Sequence, residues 1–145
     1  TRGVEVVVRG RRGVPGGGCE RLRARGRVIA SGFGDEADRA GLYRGAVALG
    51  MPSREEGFGL PALEAMASGC AVITSNAAAL VEITGDAALH VEPNAASLAD
   101  AMARIASDES LRATLASRGV ARAKRFTWTR CAELTRDAYR AAIAR

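Results

Sequence analysis

The residues best suited to chemistry lie in one run, Pro52-Ser53-Arg54-Glu55-Glu56-Gly57-Phe58-Gly59-Leu60-Pro61-Ala62-Leu63-Glu64-Ala65-Met66-Ala67-Ser68-Gly69. Two carboxylates, Glu56 and Glu64, stand eight positions apart, and a Gly57-Phe58-Gly59 turn follows the first of them. Pro61 suits the first turn of a short helix and Gly69 its stop. Amides at such a helix start have no partner inside the helix and sit at the positive pole of its dipole, so they suit an anion, here a phosphate. Gly57 and Gly59 let the main chain approach a ligand closely. In open α/β sheets ligands settle beyond the carboxyl ends of the strands, where this turn falls. The two carboxylates then suit hydroxyl groups. A hydrolytic acid/base pair would need them roughly 5–9.5 Å apart. Eight residues of helix rise about 12 Å, which fits a grip on two ends of one extended ligand.

The elements that must position this run alternate between strand and helix. Short apolar segments at Val4–Val8, Arg27–Ser31, Ala46–Met51, Cys70–Thr74 and Ala87–Val91 read as strands. Between them fall a Gly- and Pro-rich loop at 9–18, a short helix over Cys19–Arg25 and a Gly32–Gly34 turn. Asp35 offers an N-cap for a helix running to about Arg44, and 79–83 reads as a single helical turn. From Asn94 onward the pattern is helical, with Leu98, Met102 and Ile105 on one face and Leu111 and Leu115 on another. Thr127 reads as the N-cap of a last helix that Trp128 anchors by packing. The expected fold is α/β: a Rossmann-like parallel sheet covered by helices on both faces, with a helical C-terminal tail. We expect one domain over residues 1–145.

Composition excludes several classes of function. At 48% hydrophobic and 26% charged residues the chain is ordinary globular protein, which argues against wholesale disorder. No apolar run is long enough to cross a bilayer. A single histidine, His90, argues against a His-based metal centre or a Ser-His-Asp triad, and reads as structural. Cys19, Cys70 and Cys131 lack both metal spacing and a disulfide framework, which fits a reducing cytoplasm. Cys70 reads as a small buried hydrophobe. The net charge of +5 permits contact with anions, but 4% aromatics offer no platform for stacking bases, so no nucleic-acid partner is expected. Arg112, Arg118, Arg122, Lys124 and Arg125 form a basic stretch, read first as a solvated face and second as contact with an anionic membrane or a lipid-linked acceptor. Phe58 reads equally as a core plug or as part of the site.

The string EGFGLPALEAMASGCAVITSN, with its E-x7-E spacing, resembles the donor-binding motif of the family 4 (group 1) retaining glycosyltransferases of GT-B fold. GLYRGAVALGMPS, VEITGDAALHVEP and RFTW resemble its flanking segments, so the resemblance spans roughly residues 27 to 145. It departs from the pattern at Val81, where the family often has Pro. The resemblance implies that Glu56, as the catalytic-site residue, hydrogen-bonds the hydroxyls of the donor sugar, and that Glu64 binds the ribose. The amides of Gly57, Phe58, Gly59 and Leu60 would hold sugar and diphosphate, and the loop bearing Phe33 and Asp35 would border the base. It implies transfer of a mannosyl- or glucosyl-type hexose from a UDP- or GDP-linked donor, without cofactor or metal; no Asp-x-Asp occurs. Relative to the family, the first strand of this domain and the N-terminal acceptor-binding domain lack a counterpart. The expectation is a truncated, cytoplasmic chain, inactive alone, with a peripheral place at the inner membrane face open to it. The alternative is a non-catalytic nucleotide-sugar-binding module or an inactive remnant.

Overall fold

The computed structural model describes residues 6–8, 28–30 and 36–144. The expected loop at 9–18, the helix at 19–25 and the turn bearing Phe33 and Asp35 therefore lie outside the described residues. The chain divides into two compact units, residues 1–41 and 42–145. In the first, β1 (Val6–Val8) and β2 (Val28–Ala30) pair in parallel, with Val6 opposite Val28 and Val8 opposite Ala30. Helix α1 (Glu36–Gly45) follows, and its last turn, Leu42–Gly45, belongs to the second unit.

The second unit holds a parallel sheet in the order β3 (Leu49–Met51), β4 (Val72–Ser75), β5 (Leu89–Val91). Every residue of the central strand is buried, as a strand covered on both faces must be. Its side chains alternate between two cores. Val72 packs with Ala62, Ala65 and Met66 of α2 (Leu60–Ala67), whereas Ile73 packs with Ala101 and Ile105 of α4 (Ala95–Ser107). Between these helices in sequence lie α3 (Ala78–Thr84) and a 3-10 turn, Gly85–Ala87. Full burial of Met66, Ile73 and Ile105 contributes about 1.5–3 kcal/mol each.

Helix α5 (Glu109–Ala123) serves both cores, placing Leu115 in the Ile73 cluster and Ala123 in the Val72 cluster. Midway, Gly119 lets it approach α2 closely: a Cβ there would stand 3.2 Å from Met66 Cγ. Asn94, Asp108 and Thr127 cap α4, α5 and α6 (Trp128–Ile143), each side-chain oxygen accepting from the amide three residues on.

Three expectations change. Ala46–Ala48 stand outside the third strand, which is only Leu49–Met51. The single turn expected at 79–83 is a two-turn helix, closed at Gly85 with φ +54°. Trp128 does not anchor α6 by packing: it is 84% exposed, and no residue of that helix is buried. Apolar residues on a helix pack only where another element lies against them, and spacing along the chain does not report that.

Candidate functional site at the mouth of helix α2

The sheet delivers the site through two strand ends. Beyond β3 the chain runs through Pro52 and Ser53 to Glu56, and beyond β4 it continues from Ser75, which is 1% exposed. The Ser75 hydroxyl donates to the Ser53 carbonyl and accepts from the Ala77 amide at 3.4 Å, tying the two ends together. The Ser53 hydroxyl in turn donates to Glu56 Oε1 at 2.9 Å. Glu56 is thus held in the loop before the helix. Only Leu60 onward is helical, so the helical rise expected between Glu56 and Glu64 does not describe their separation.

Gly59 makes the corner. It is the N-cap of α2 with φ +98°, and a Cβ on it would stand 2.6 Å from Leu80 Cδ2, so this position admits no side chain without displacement. Gly57 differs: its φ is not positive and a Cβ would meet nothing within 4 Å. The Gly59 carbonyl accepts from the amides of Ala62 and Leu63. No backbone carbonyl among the described residues accepts from the amides of residues 57–60, and Pro61 has none to offer. Leu60 and Glu64 share one face of the first turn, four residues apart. Leu60 is half exposed, and Glu64 Oε2 accepts from the Tyr43 hydroxyl at 3.2 Å. At its far end α2 closes on Gly69 (φ +76°), whose amide reaches Met66 O while that of Cys70 reaches Ala65 O.

Phe58 is no core plug. It is 44% exposed and meets Phe126 edge-on, with centroids 6.3 Å apart, which fastens the loop to the segment after α5. Arg122 lies 5.9 Å from the Phe126 centroid and donates to the carbonyls of Ile83 and Glu82 at the end of α3. Arg112 donates to Ile105 O at 2.7 Å, at the end of α4, and Arg118 to Asp86 O at 3.3 Å. Three members of the basic stretch therefore serve as caps for carbonyls, where cations are favoured at helix C-termini.

Residues 56–60 and 64 are thus brought to one helix mouth, while Phe33 and Asp35 lie outside the described residues. Sequence reasoning missed Ser53, Ser75 and Tyr43, whose contacts join positions far apart in the chain. Two surface hollows lie elsewhere, one near Ala46, Gly69 and Arg112 at the amino ends of the strands and one between β5 and α4. His90 and Cys70 stand apart from the site residues. The Thr84 hydroxyl donates to Leu80 O, so His90 Nε2, 2.8 Å away, donates to Thr84 Oγ1. Partial burial holds the imidazole below its usual pKa. Burial pushes the Cys70 thiol up, against a lowering hydrogen bond from the Leu49 backbone. No helix among the described residues is long and apolar enough to cross a membrane.

Comparison with known proteins identifies the family and the fold. The family model described as glycosyl transferases group 1 matches residues 19–122. The O-antigen chain mannosyltransferase B of Escherichia coli is 38% identical over 122 residues, covering 83% of this chain and 32% of the relative. Sucrose-phosphate synthase from Thermosynechococcus elongatus superposes with a TM-score of 0.78 at 32% identity, over 97% of this chain and 39% of that one. The C-terminal domain of a group 1 family glycosyl transferase from Francisella tularensis gives 0.62 at 35% identity, over 73% of this chain and 58% of that one. The chain spans about a third or less of the length of the first curated relatives it matches.

Proposed function

The chain belongs to the group 1 glycosyl transferases, with the α/β architecture of the GT-B fold, and from that premise we propose that it is a donor-binding domain. The domain takes in residues 1–145 and binds a UDP- or GDP-linked hexose for retaining transfer of a mannosyl- or glucosyl-type group, in the manner of the family 4 enzymes. The acceptor is held by a separate N-terminal domain. Glu56 meets the hydroxyls of the sugar, Glu64 the ribose, and the amides of residues 57–60 the diphosphate, with Phe33 and Asp35 beside the base. No cofactor or metal belongs to this reading, and the chain is placed in the cytoplasm.

One observation carries it: a helix mouth whose amides lack backbone acceptors, turned by a left-handed glycine and flanked by two half-buried carboxylates. Such amides at a helix N-terminus favour developing negative charge on the leaving diphosphate, and holding both ends of the donor supplies orientation. Gly57 supports the same reading, because neither backbone strain nor a protein neighbour demands a glycine there.

Calorimetric titration with GDP, UDP, GDP-mannose and UDP-glucose tests it. Binding of at least one pair, lost in Glu64→Ala, is the expected result, and the chain alone is expected to bind donor without transferring sugar. Retention of full affinity by Glu64→Ala would overturn the assignment.

A further inference from the structure

We infer that a neighbouring hydroxyl sets each carboxylate of the site: Ser53, three residues earlier in the same loop, positions Glu56, and Tyr43 of α1 positions Glu64. This rests on the donor-binding reading and names what fixes its two grips.

An ionised carboxylate only accepts hydrogen bonds, so a donor placed on one oxygen fixes the plane in which the other presents its lone pairs. Ser53 gives Glu56 such a donor at 2.9 Å. Ser53 does not stand alone, because its carbonyl is held by Ser75, which is buried at the end of the central strand. The line β4, Ser75, Ser53, Glu56 thus transmits the rigidity of the core to a side chain in an exposed loop. Glu64 is fixed from a different quarter. The Tyr43 phenol, in the last turn of α1, donates to its Oε2 at 3.2 Å. Both hydroxyls act through a carboxylate, so they are positioning residues.

The two supports come from different elements, which makes their effects separable. Glu56 addresses the sugar and Glu64 the nucleotide. Ser53→Ala therefore weakens a sugar nucleotide while leaving the bare nucleoside diphosphate unchanged. Tyr43→Phe weakens both alike. The expected loss in either case is about three- to tenfold in Kd, the scale of one net hydrogen bond.

The test is calorimetry on the full chain with GDP against GDP-mannose and UDP against UDP-glucose, with thermal melts run alongside. Ser53→Thr, which keeps the hydroxyl, should restore sugar-nucleotide affinity. If Ser53→Ala folds poorly, Ser53→Cys serves in its place, since it keeps the size and weakens the donor. Equal weakening of GDP and GDP-mannose by Ser53→Ala, or no weakening while Glu56→Gln costs affinity, overturns the proposal. So does a Tyr43→Phe protein that binds every probe normally while Glu64→Gln does not. Unaltered titrations in both Glu56→Gln and Glu64→Gln would instead sink the donor-binding reading beneath it.

Discussion

Replacing Gly59 by alanine isolates what the corner of α2 requires. The residue sits at φ +98°, where a Cβ costs about 1–2 kcal/mol in backbone strain. The same Cβ would stand 2.6 Å from Leu80 Cδ2, and Leu80 is fully buried, so the neighbour must shift within a packed core. Overpacking of that kind costs about 1–3 kcal/mol. Gly59→Ala should therefore lower the free energy of unfolding by about 2–5 kcal/mol, a large part of the 5–15 kcal/mol typical of a domain. Gly57→Ala is the matched control, with no positive φ and no neighbour within 4 Å. It should change stability by less than about 0.5 kcal/mol while weakening sugar-nucleotide binding, because the added methyl enters the space left for the ligand. Urea denaturation followed by far-UV circular dichroism is the suitable assay, since Trp128 is already 84% exposed and a poor fluorescent reporter of unfolding. A Gly59→Ala protein as stable as the parent, or a Gly57→Ala protein as damaged, would show that the corner does not depend on a left-handed glycine packed against Leu80.

Other substitutions probe the core and its titrating groups. Thr74 is fully buried and its Oγ1 lacks a partner among the described residues, so Thr74→Val should leave stability unchanged or raise it by about 1 kcal/mol in urea denaturation. In a Cys19→Ser background, Cys131 should react with a chromogenic disulfide at once, while Cys70, 3% exposed with a raised pKa, should wait for denaturant. For His90 the folded pKa is lowered by burial, so the unfolded chain takes up the proton first as pH falls. Its stabilising contribution is therefore present above about pH 6.5 and lost below it, and His90→Gln should flatten that part of the stability profile.

Much of this was legible in the sequence where the signal is local. Pro61 and Gly69 bracket α2 because both act through their own backbone dihedrals. Thr127 caps α6 through a bond spanning three residues. The apolar run Cys70–Thr74 marked the fourth strand, which the structure sets at Val72–Ser75 with every residue buried. What stayed hidden was non-local. Ser75 reaches Ser53 across 22 positions and Arg122 reaches Ile83 across 39, and no periodicity reports such a pairing. The basic stretch looked like a solvated face because charge along a helix does not reveal the carbonyls waiting at the ends of its neighbours. Two glycines in one turn looked alike as well. The left-handed φ of Gly59 and the position of Leu80 separate that residue, which the fold requires, from Gly57, which it does not.

In the proposed reading, amides without backbone acceptors at the mouth of α2 cradle a diphosphate. Amide-resolved NMR of the full chain, titrated with GDP-mannose or UDP-glucose, addresses it most directly. The resonances of Gly57, Phe58, Gly59 and Leu60 should move together and saturably, and should stay still in Glu64→Ala. Shifts clustered instead around Ala46, Gly69 and Arg112, with the α2 mouth silent, would contradict it.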